Sequence, residues 1–324
     1  MSTRVLGRSG IKVSAIGFGC WAIGGPFTMD GKPDGWGEVD DRESAAAIHR
    51  AIERGITFFD TADAYGTGHS ETVLGRALAG RRDEVVIATK FGYTHDARRR
   101  ALTGEDASPG YIRQACQASL RRLGTDRIDL YQLHVSDLPA GQASEVIGAL
   151  EDLVADGLIR CYGWSTHHPE RAAAFAAGRH CAAVQHPLNV FADAPEMLAI
   201  CEANDLASIN NTPLAMGLLT GKYGAASRLP ADDVRASQVW VEYFRDGRPA
   251  PEWLARLDAI RAVLSGGGRT PAQGALCWLL ARSPHTVPIP GIRTVAQAGQ
   301  NAAAMSFGPL RDDEMAEIDW LLGR

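Results

Sequence analysis

The sequence predicts one α/β domain over residues 1–324, a (β/α)8 TIM barrel with an N-terminal β-hairpin and an extra C-terminal helix. Three observations predict it. After the opening hairpin, short apolar segments alternate with amphipathic ones about eight times, which fits a closed barrel better than an open sheet. The run Val85-Val86-Ile87-Ala88-Thr89-Lys90 is too apolar for a strand with one wet face, so both faces are covered, as in parallel sheets. No linker, internal repeat or low-complexity tract divides the 324 residues, a length that α/β barrels reach as one domain.

Taken in order, Thr3 to Leu6 and Ile11 to Val13 flank Gly7-Arg8-Ser9-Gly10 and form a hairpin ahead of the barrel. Ala15 to Gly19 is the first barrel strand. Gly17-Phe18-Gly19-Cys20-Trp21-Ala22 matches a G-x-G-x-x-A dinucleotide pattern, with Asp40 or Asp41 at a fitting distance. That motif must open a helix, and Gly24-Gly25-Pro26 forbids one, so the segment reads as a strand end and a loop. A helix starts at Asp40, with Glu43 in a capping-box position, and Gly55 stops it.

The second strand is Phe58-Phe59-Asp60, running into Thr61-Ala62-Asp63-Ala64-Tyr65-Gly66 and a helix from Ser70 to Leu78. The third ends on Lys90. Ser108-Pro109 is a cap followed by a first-turn proline, and the helix it opens runs to Gly124. The fourth strand, from Ile128, ends on His134. Helices at 143–156, 170–177 and 195–204 then alternate with strands at 159–165, 183–185 and 206–210, followed by a helix at 271–281, a strand at 286–289 and helices at 295–305 and 311–322. The section Tyr223 to Glu252 breaks the alternation. Carrying Trp240, Tyr243 and Phe244, it is an insertion after the seventh strand, long enough to fold over a site.

Composition narrows the function classes. A net charge of −5 and pI near 6.0 argue against a general nucleic-acid or anionic-membrane surface. Six cysteines without paired short spacing read as reduced core residues. No apolar run is long enough to span a bilayer and the first ten residues lack a signal core, so the expectation is a soluble cytoplasmic protein. His167-His168 and the His180 to His186 spacing supply no convincing metal set. Arg98-Arg99-Arg100 reads first as a solvated charge run, and second as an attractor for acidic substrates.

Strand ends of such a barrel converge on one face, where chemistry is done. Asp60, Lys90 and His134 end the second, third and fourth strands, and Tyr65 follows the second. A buried lysine needs a partner, and Asp60 is the obvious one. Held near the phenol, the Lys90 ammonium is expected to lower the pKa of Tyr65, making it an acid for a carbonyl oxygen that His134 also contacts. Asp63 has no assigned role. Hydride from a nicotinamide fits as the attacking group, since neither a nucleophile nor a metal set is visible.

With Phe59 to Gly66, Ala88-Thr89-Lys90-Phe91-Gly92, Asp129 to His134, Gly163-Trp164-Ser165-Thr166, Pro213 to Lys222 and Ile289-Pro290-Gly291-Ile292-Arg293, the chain resembles the aldo-keto reductases from hairpin to last helix. The resemblance implies a nicotinamide cofactor held without a Rossmann domain, and Asp60, Tyr65, Lys90 and His134 as the catalytic set. It implies cofactor contacts from Gly19, Trp21, Asp60, Ser165, Thr166, Gln185, Asn211, Pro213, Leu214, Met216, Gly217, Leu219, Gly221, Lys222, Gly291, Arg293, Gln297, Gln300 and Asn301. Arg293 beside a helix N-terminus favours a phosphate, hence NADPH over NADH. Thr166, Asn211 and Gln300 depart from the family's usual residues.

The substrate pocket is expected to include Trp21, Tyr65, Phe91, His134 and Trp164. The activity implied is NADPH-dependent reduction of an aldehyde or ketone. A dehydrogenase running towards oxidation, and a cofactor-binding subunit of the kind this family supplies to potassium channels, are the two alternatives.

Overall fold

The structure, a computed structural model, describes residues 2–324. Eight parallel strands form its main sheet: β1 (Phe18–Gly19), β2 (Phe58–Asp60), β3 (Val86–Phe91), β4 (Ile128–Leu133), β5 (Ile159–Ser165), β6 (Cys181–Pro187), β7 (Ala207–Asn211) and β8 (Thr286–Pro288). Each pairs with its sequence neighbours, and β1 returns to β8. Gly17 N–H donates to the Pro288 carbonyl (2.9 Å) and Gly19 N–H to that of Pro290 (3.0 Å), which closes the barrel. Those glycines are sterically required. A Cβ on Gly17 would stand 2.8 Å from the Phe58 ring, and one on Gly19 2.6 Å from the Ile289 carbonyl oxygen. The dinucleotide-like spacing is therefore the signature of the seam.

Eight helices flank the barrel: α1 (Asp41–Glu53), α2 (His69–Ala77), α3 (Pro109–Leu123), α4 (Ala143–Ala155), α5 (Pro169–Phe175), α6 (Pro195–Ala203), α7 (Pro271–Arg282) and α8 (Val295–Phe307). The extra C-terminal helix, Asp312–Leu322, packs on a helix at Pro251–Leu264 that the sequence reading leaves out. Asp40 caps α1 by accepting from Arg42 N–H (2.8 Å), but the expected capping box is not made. The Glu43 carboxylate accepts instead from Val295 N–H at the start of α8 (3.0 Å).

Inside the barrel, alternation along each strand sorts the side chains into layers. Phe58, Val86, Ala88, Leu130, Cys161, Ala183, Ala207, Ile209 and Val287 fill the lower interior, and Leu6, Ile11 and Val13 of the N-terminal hairpin (Thr3–Val5 with Lys12–Ser14) seal the base. One step further along the strands the inward residues turn polar: Asp60, Lys90, Gln132, Ser165, Gln185 and Asn211. A dry base under a polar top floor confines the chemistry to the C-terminal face.

Above that face the structure adds a four-stranded sheet of short strands, Thr28–Met29, Lys32–Pro33, Tyr93–Asp96 and Ala101–Glu105. Pairing between Thr28 and Ala101 joins two loops distant in sequence, so no local pattern announces it. The insertion after β7 meets this sheet: Val234 N–H donates to the Gly35 carbonyl (2.9 Å), and Trp36 bridges to Asp233. As expected, the insertion folds over the barrel mouth.

Candidate active site

The centre of the polar floor is tightly paired. Lys90 Nζ donates to Asp60 Oδ1 (2.5 Å), to the Thr61 carbonyl (2.9 Å) and to Tyr65 Oη (3.1 Å), which uses all three ammonium protons. The other Asp60 oxygen accepts from Gln132 Nε2 (3.0 Å) and Gln185 Nε2 (2.8 Å). Gln132, absent from the sequence-derived set, thus fixes the carboxylate. Its signal was a lone amide among the apolar residues of β4.

Tyr65 reaches this group because its loop turns back at Gly66, where φ is +59° and a Cβ would collide with the Gly24 carbonyl oxygen. Trp21 stacks on the phenol at 6.0 Å between centroids, and the His134 imidazole meets it edge-on at 5.7 Å.

Burial decides the protonation states. It raises the Tyr65 pKa, and the opposing pull of Lys90 does not cancel it, because Asp60 adds its own upward push. The expected downward shift is therefore corrected: the phenol holds its proton firmly. Burial pulls Lys90 down, but Asp60 and Tyr65 outweigh it and the net shift is upward. Burial and then the Lys90 charge drive the His134 pKa well below its usual value, so the imidazole is neutral. Its Nδ1 has no protein partner.

Asp63 lies behind this group. Its carboxyl is pushed well up by burial and then by Glu71, whose own carboxylate is taken by Arg122 Nε (2.6 Å) and Thr89 Oγ1 (2.6 Å). A neutral Asp63 is a packing acid, outside the reaction.

A cavity of about 560 Å³ opens over Tyr65 and His134 and runs across the barrel mouth to Arg293. Of the residues anticipated for the cofactor, it is lined by Gly19, Trp21, Asp60, Ser165, Thr166, Gln185, Asn211, Pro213, Leu214, Met216, Gly217, Lys222, Gly291, Arg293 and Gln297. Leu219 is buried and Gly221 lies off the cavity; Gln300 donates to Thr270 Oγ1 (3.1 Å), and Asn301 is buried. Thr166 spends its hydroxyl proton on the Ser136 carbonyl (3.1 Å), while Ser165 makes no side-chain bond within the protein and Gln185 keeps its carbonyl oxygen towards the cavity's polar floor. Thr212, Ala215 and Met216 have φ near +50°, a left-handed backbone that marks the 211–222 loop as shaped for close approach.

Two pocket expectations are overturned. Phe91 and Trp164 are fully buried between the sheet and the helices, Phe91 against Tyr131 and Trp164 against Phe175, with the indole N–H donated to the Val135 carbonyl. The reason is strand alternation: with Lys90 and Ser165 facing inward, their immediate neighbours must face outward. Pocket residues that sequence reasoning missed come from the added sheet and the insertion: Phe27, Met29, Asp34, Trp36, Tyr93, Leu102, Asp233, Arg235 and Trp240. Trp240 stacks on Trp21 at 6.3 Å.

Arg98 to Arg100 are exposed at a hairpin tip off the cavity, where the Arg98 and Arg99 amides bond Asp96. Asp137, His167 and His168 cluster on the rim, but the Asp137 carboxylate is shared by His168 (2.7 Å) and Arg171 (2.8 Å).

The inner floor of a (β/α)8 barrel thus joins Asp60, Lys90 and Tyr65 beside a neutral His134. The chain belongs to the aldo/keto reductase family: the family model matches residues 15–322. Relatives include aldo-keto reductase YhdN of Bacillus subtilis, 37% identical with 97% of this chain and 91% of the relative covered. Another is aldo-keto reductase yakc of Schizosaccharomyces pombe, named with NADP(+), 32% identical over 98% of this chain and 90% of the relative. Among solved structures, the glycerol dehydrogenase AKR11B4 of Gluconobacter oxydans superposes with a TM-score of 0.83 at 31% identity, covering 100% of this chain and 95% of that one. The protein is an oxidoreductase of this family. No described helix is long and apolar enough to cross a membrane.

Proposed function

We propose that the protein reduces an aldehyde or ketone to an alcohol at the expense of NADPH, with Tyr65 as proton donor. The observation that carries this reading is the Lys90 ammonium, bonded at once to the Asp60 carboxylate and the Tyr65 hydroxyl.

The residues present fit a nicotinamide cofactor: an elongated cavity joins a polar floor with a free amide oxygen at Gln185 and a free hydroxyl at Ser165 to a guanidinium at Arg293. Ser165, Gln185 and Asn211 would hold the nicotinamide end, the 213–222 loop the pyrophosphate, and Arg293 with Gln297 the adenosine end. When bound, the cofactor supplies hydride to the carbonyl carbon. The protein does the rest. His134, neutral, donates a hydrogen bond to the substrate oxygen and fixes it over Tyr65. The phenol gives up its proton as negative charge develops on that oxygen, and the Lys90 ammonium stabilises the phenolate left behind. Asp60, anchored by Gln132 and Gln185, keeps Lys90 charged and in place. Trp21 and Trp240 shield the reacting groups from water.

A phenol protonated at neutral pH is in the state that the reductive direction requires. The likeness to a glycerol dehydrogenase supports alcohol oxidation as a second reading. Initial rates with NADPH plus a carbonyl panel, and with NADP plus the matching alcohols, separate the two. The proposal stands on steady NADPH consumption that depends on a carbonyl, and falls if binding of NADPH is never followed by turnover in either direction.

A further inference from the structure

Asp34 sits where the loop leaving the short strand Lys32–Pro33 enters the cavity wall. It is 8% exposed, yet its carboxylate accepts no hydrogen bond and forms no ion pair within the protein, and Oδ1 is both buried and unpartnered. The other two carboxylates on the cavity wall are each answered by a cation: Asp60 by Lys90, and Asp233 by Arg235 (2.6 Å). Burying a carboxyl without a partner is costly, and a protein retains one mainly where a ligand supplies the partner. Its location fits a substrate contact. The Trp21 indole N–H donates to the Asp34 backbone carbonyl (3.1 Å), and the same indole stacks on Tyr65, so one indole links the Asp34 backbone to the proton donor.

Resting on the carbonyl-reductase reading above, we propose that Asp34 is a specificity residue, selecting carbonyl substrates that carry a hydrogen-bond donor, an ammonium or a hydroxyl, remote from the reacting carbonyl. Desolvation raises the Asp34 carboxyl to about 7, with no neighbouring cation to offset it. An ammonium would supply that missing charge. A hydroxyl supplies one hydrogen bond and no charge, so its effect is smaller.

The test uses two pairs of aldehydes matched in shape. One is para-(dimethylaminomethyl)benzaldehyde against para-isobutylbenzaldehyde, the other para-(hydroxymethyl)benzaldehyde against para-ethylbenzaldehyde. Turnover with NADPH is measured alongside binding by quenching of tryptophan fluorescence, which needs no chemistry. The expected preference is about tenfold in kcat/KM for the amine over its hydrocarbon twin, and about fivefold for the alcohol, carried by KM. Asp34→Asn keeps an acceptor oxygen and removes the charge, so it abolishes the amine preference and spares the hydroxyl one. Asp34→Leu abolishes both.

Preference in the first pair alone identifies an ammonium as the natural group, and preference in the second a hydroxyl. Equal treatment within both pairs, by turnover and by binding, overturns the proposal, as does a preference that survives in Asp34→Leu. If none of the four aldehydes turns over, fluorescence still decides the role of Asp34, and the wider carbonyl and alcohol panel decides the reductase reading.

Discussion

The two ends of the cavity are built on opposite principles. At the catalytic end, Lys90 is bonded to both Asp60 and Tyr65, Gln132 and Gln185 brace the Asp60 carboxylate, and all these groups come from barrel strands or the loop after β2. At the far end, the Arg293 guanidinium donates to the carbonyls of Trp36 and Glu38, and the first free amide of α8, at Val295, is covered by the Glu43 carboxylate. Gln297 spends its side-chain oxygen on the Arg293 and Thr294 amides. The chemistry is preassembled, whereas the phosphate-binding features are held by protein groups that an incoming phosphate must displace. On the proposed function, rate would be set by the floor of the barrel, and cofactor choice by an exchange of partners at its rim.

Breaking the catalytic end has the largest expected effect. Lys90→Met leaves the Asp60 carboxylate buried without its cation, which costs about 3–5 kcal/mol of stability, and removes the group that receives the phenolate's charge. Thermal denaturation and turnover are both expected to fall, turnover by about 100-fold or more. At the rim, Arg293→Ala is expected to weaken NADPH binding by about 1.5–3 kcal/mol with little change for NADH. Equal losses for both cofactors in fluorescence titration would remove the 2′-phosphate from this position.

Glu43→Gln sharpens the contrast in the opposite direction. Without the carboxylate at the α8 N-terminus, NADPH binding is expected to gain about 0.3–1 kcal/mol, more at low salt than at high. An unchanged affinity would show that Glu43 does not compete with the cofactor. The last effect concerns stability and leaves the chemistry aside. A carboxyl raised in the folded state stabilises fully below its unfolded pKa and loses that contribution as pH rises through the folded value. For Asp34 the window runs from the ordinary 3.8 to about 7. Asp34→Asn is therefore expected to gain stability relative to the parent across that window, by up to about 4 kcal/mol. A melting difference that does not vary between pH 4 and 7 would contradict the shift.

What the sequence made legible follows from the barrel's regularity. Asp60, Lys90 and His134 end consecutive strands, so an alternation of elements was enough to bring them together. Alternation within a strand was also enough to exclude Phe91 once Lys90 faced inward, and Trp164 once Ser165 did. The direction of the Tyr65 shift was not legible, because it depends on how deeply the phenol is buried. Asp34, Trp36 and Tyr93 were hidden for another reason. Tyr93 stands on a four-residue strand and Asp34 and Trp36 in the loop after a two-residue one, within a small sheet whose pairing, such as Thr28 with Ala101, joins distant loops. Glu43 shows the same limit from the other side: its spacing from Asp40 matched a capping box, and packing against α8 gave it a different partner.

The central claim is that Tyr65 is a firmly protonated acid supported by Lys90. The most direct measurement is single-turnover reduction by Tyr65→Phe, with NADPH affinity measured in parallel and the parent followed as a function of pH. The account predicts cofactor affinity near the parent's, a reduction step slowed by about 100- to 10,000-fold, and a parent rate that stays level through neutral pH and declines only above the ordinary tyrosine value of 10. Near-parental reduction by Tyr65→Phe with normal NADPH binding would contradict it.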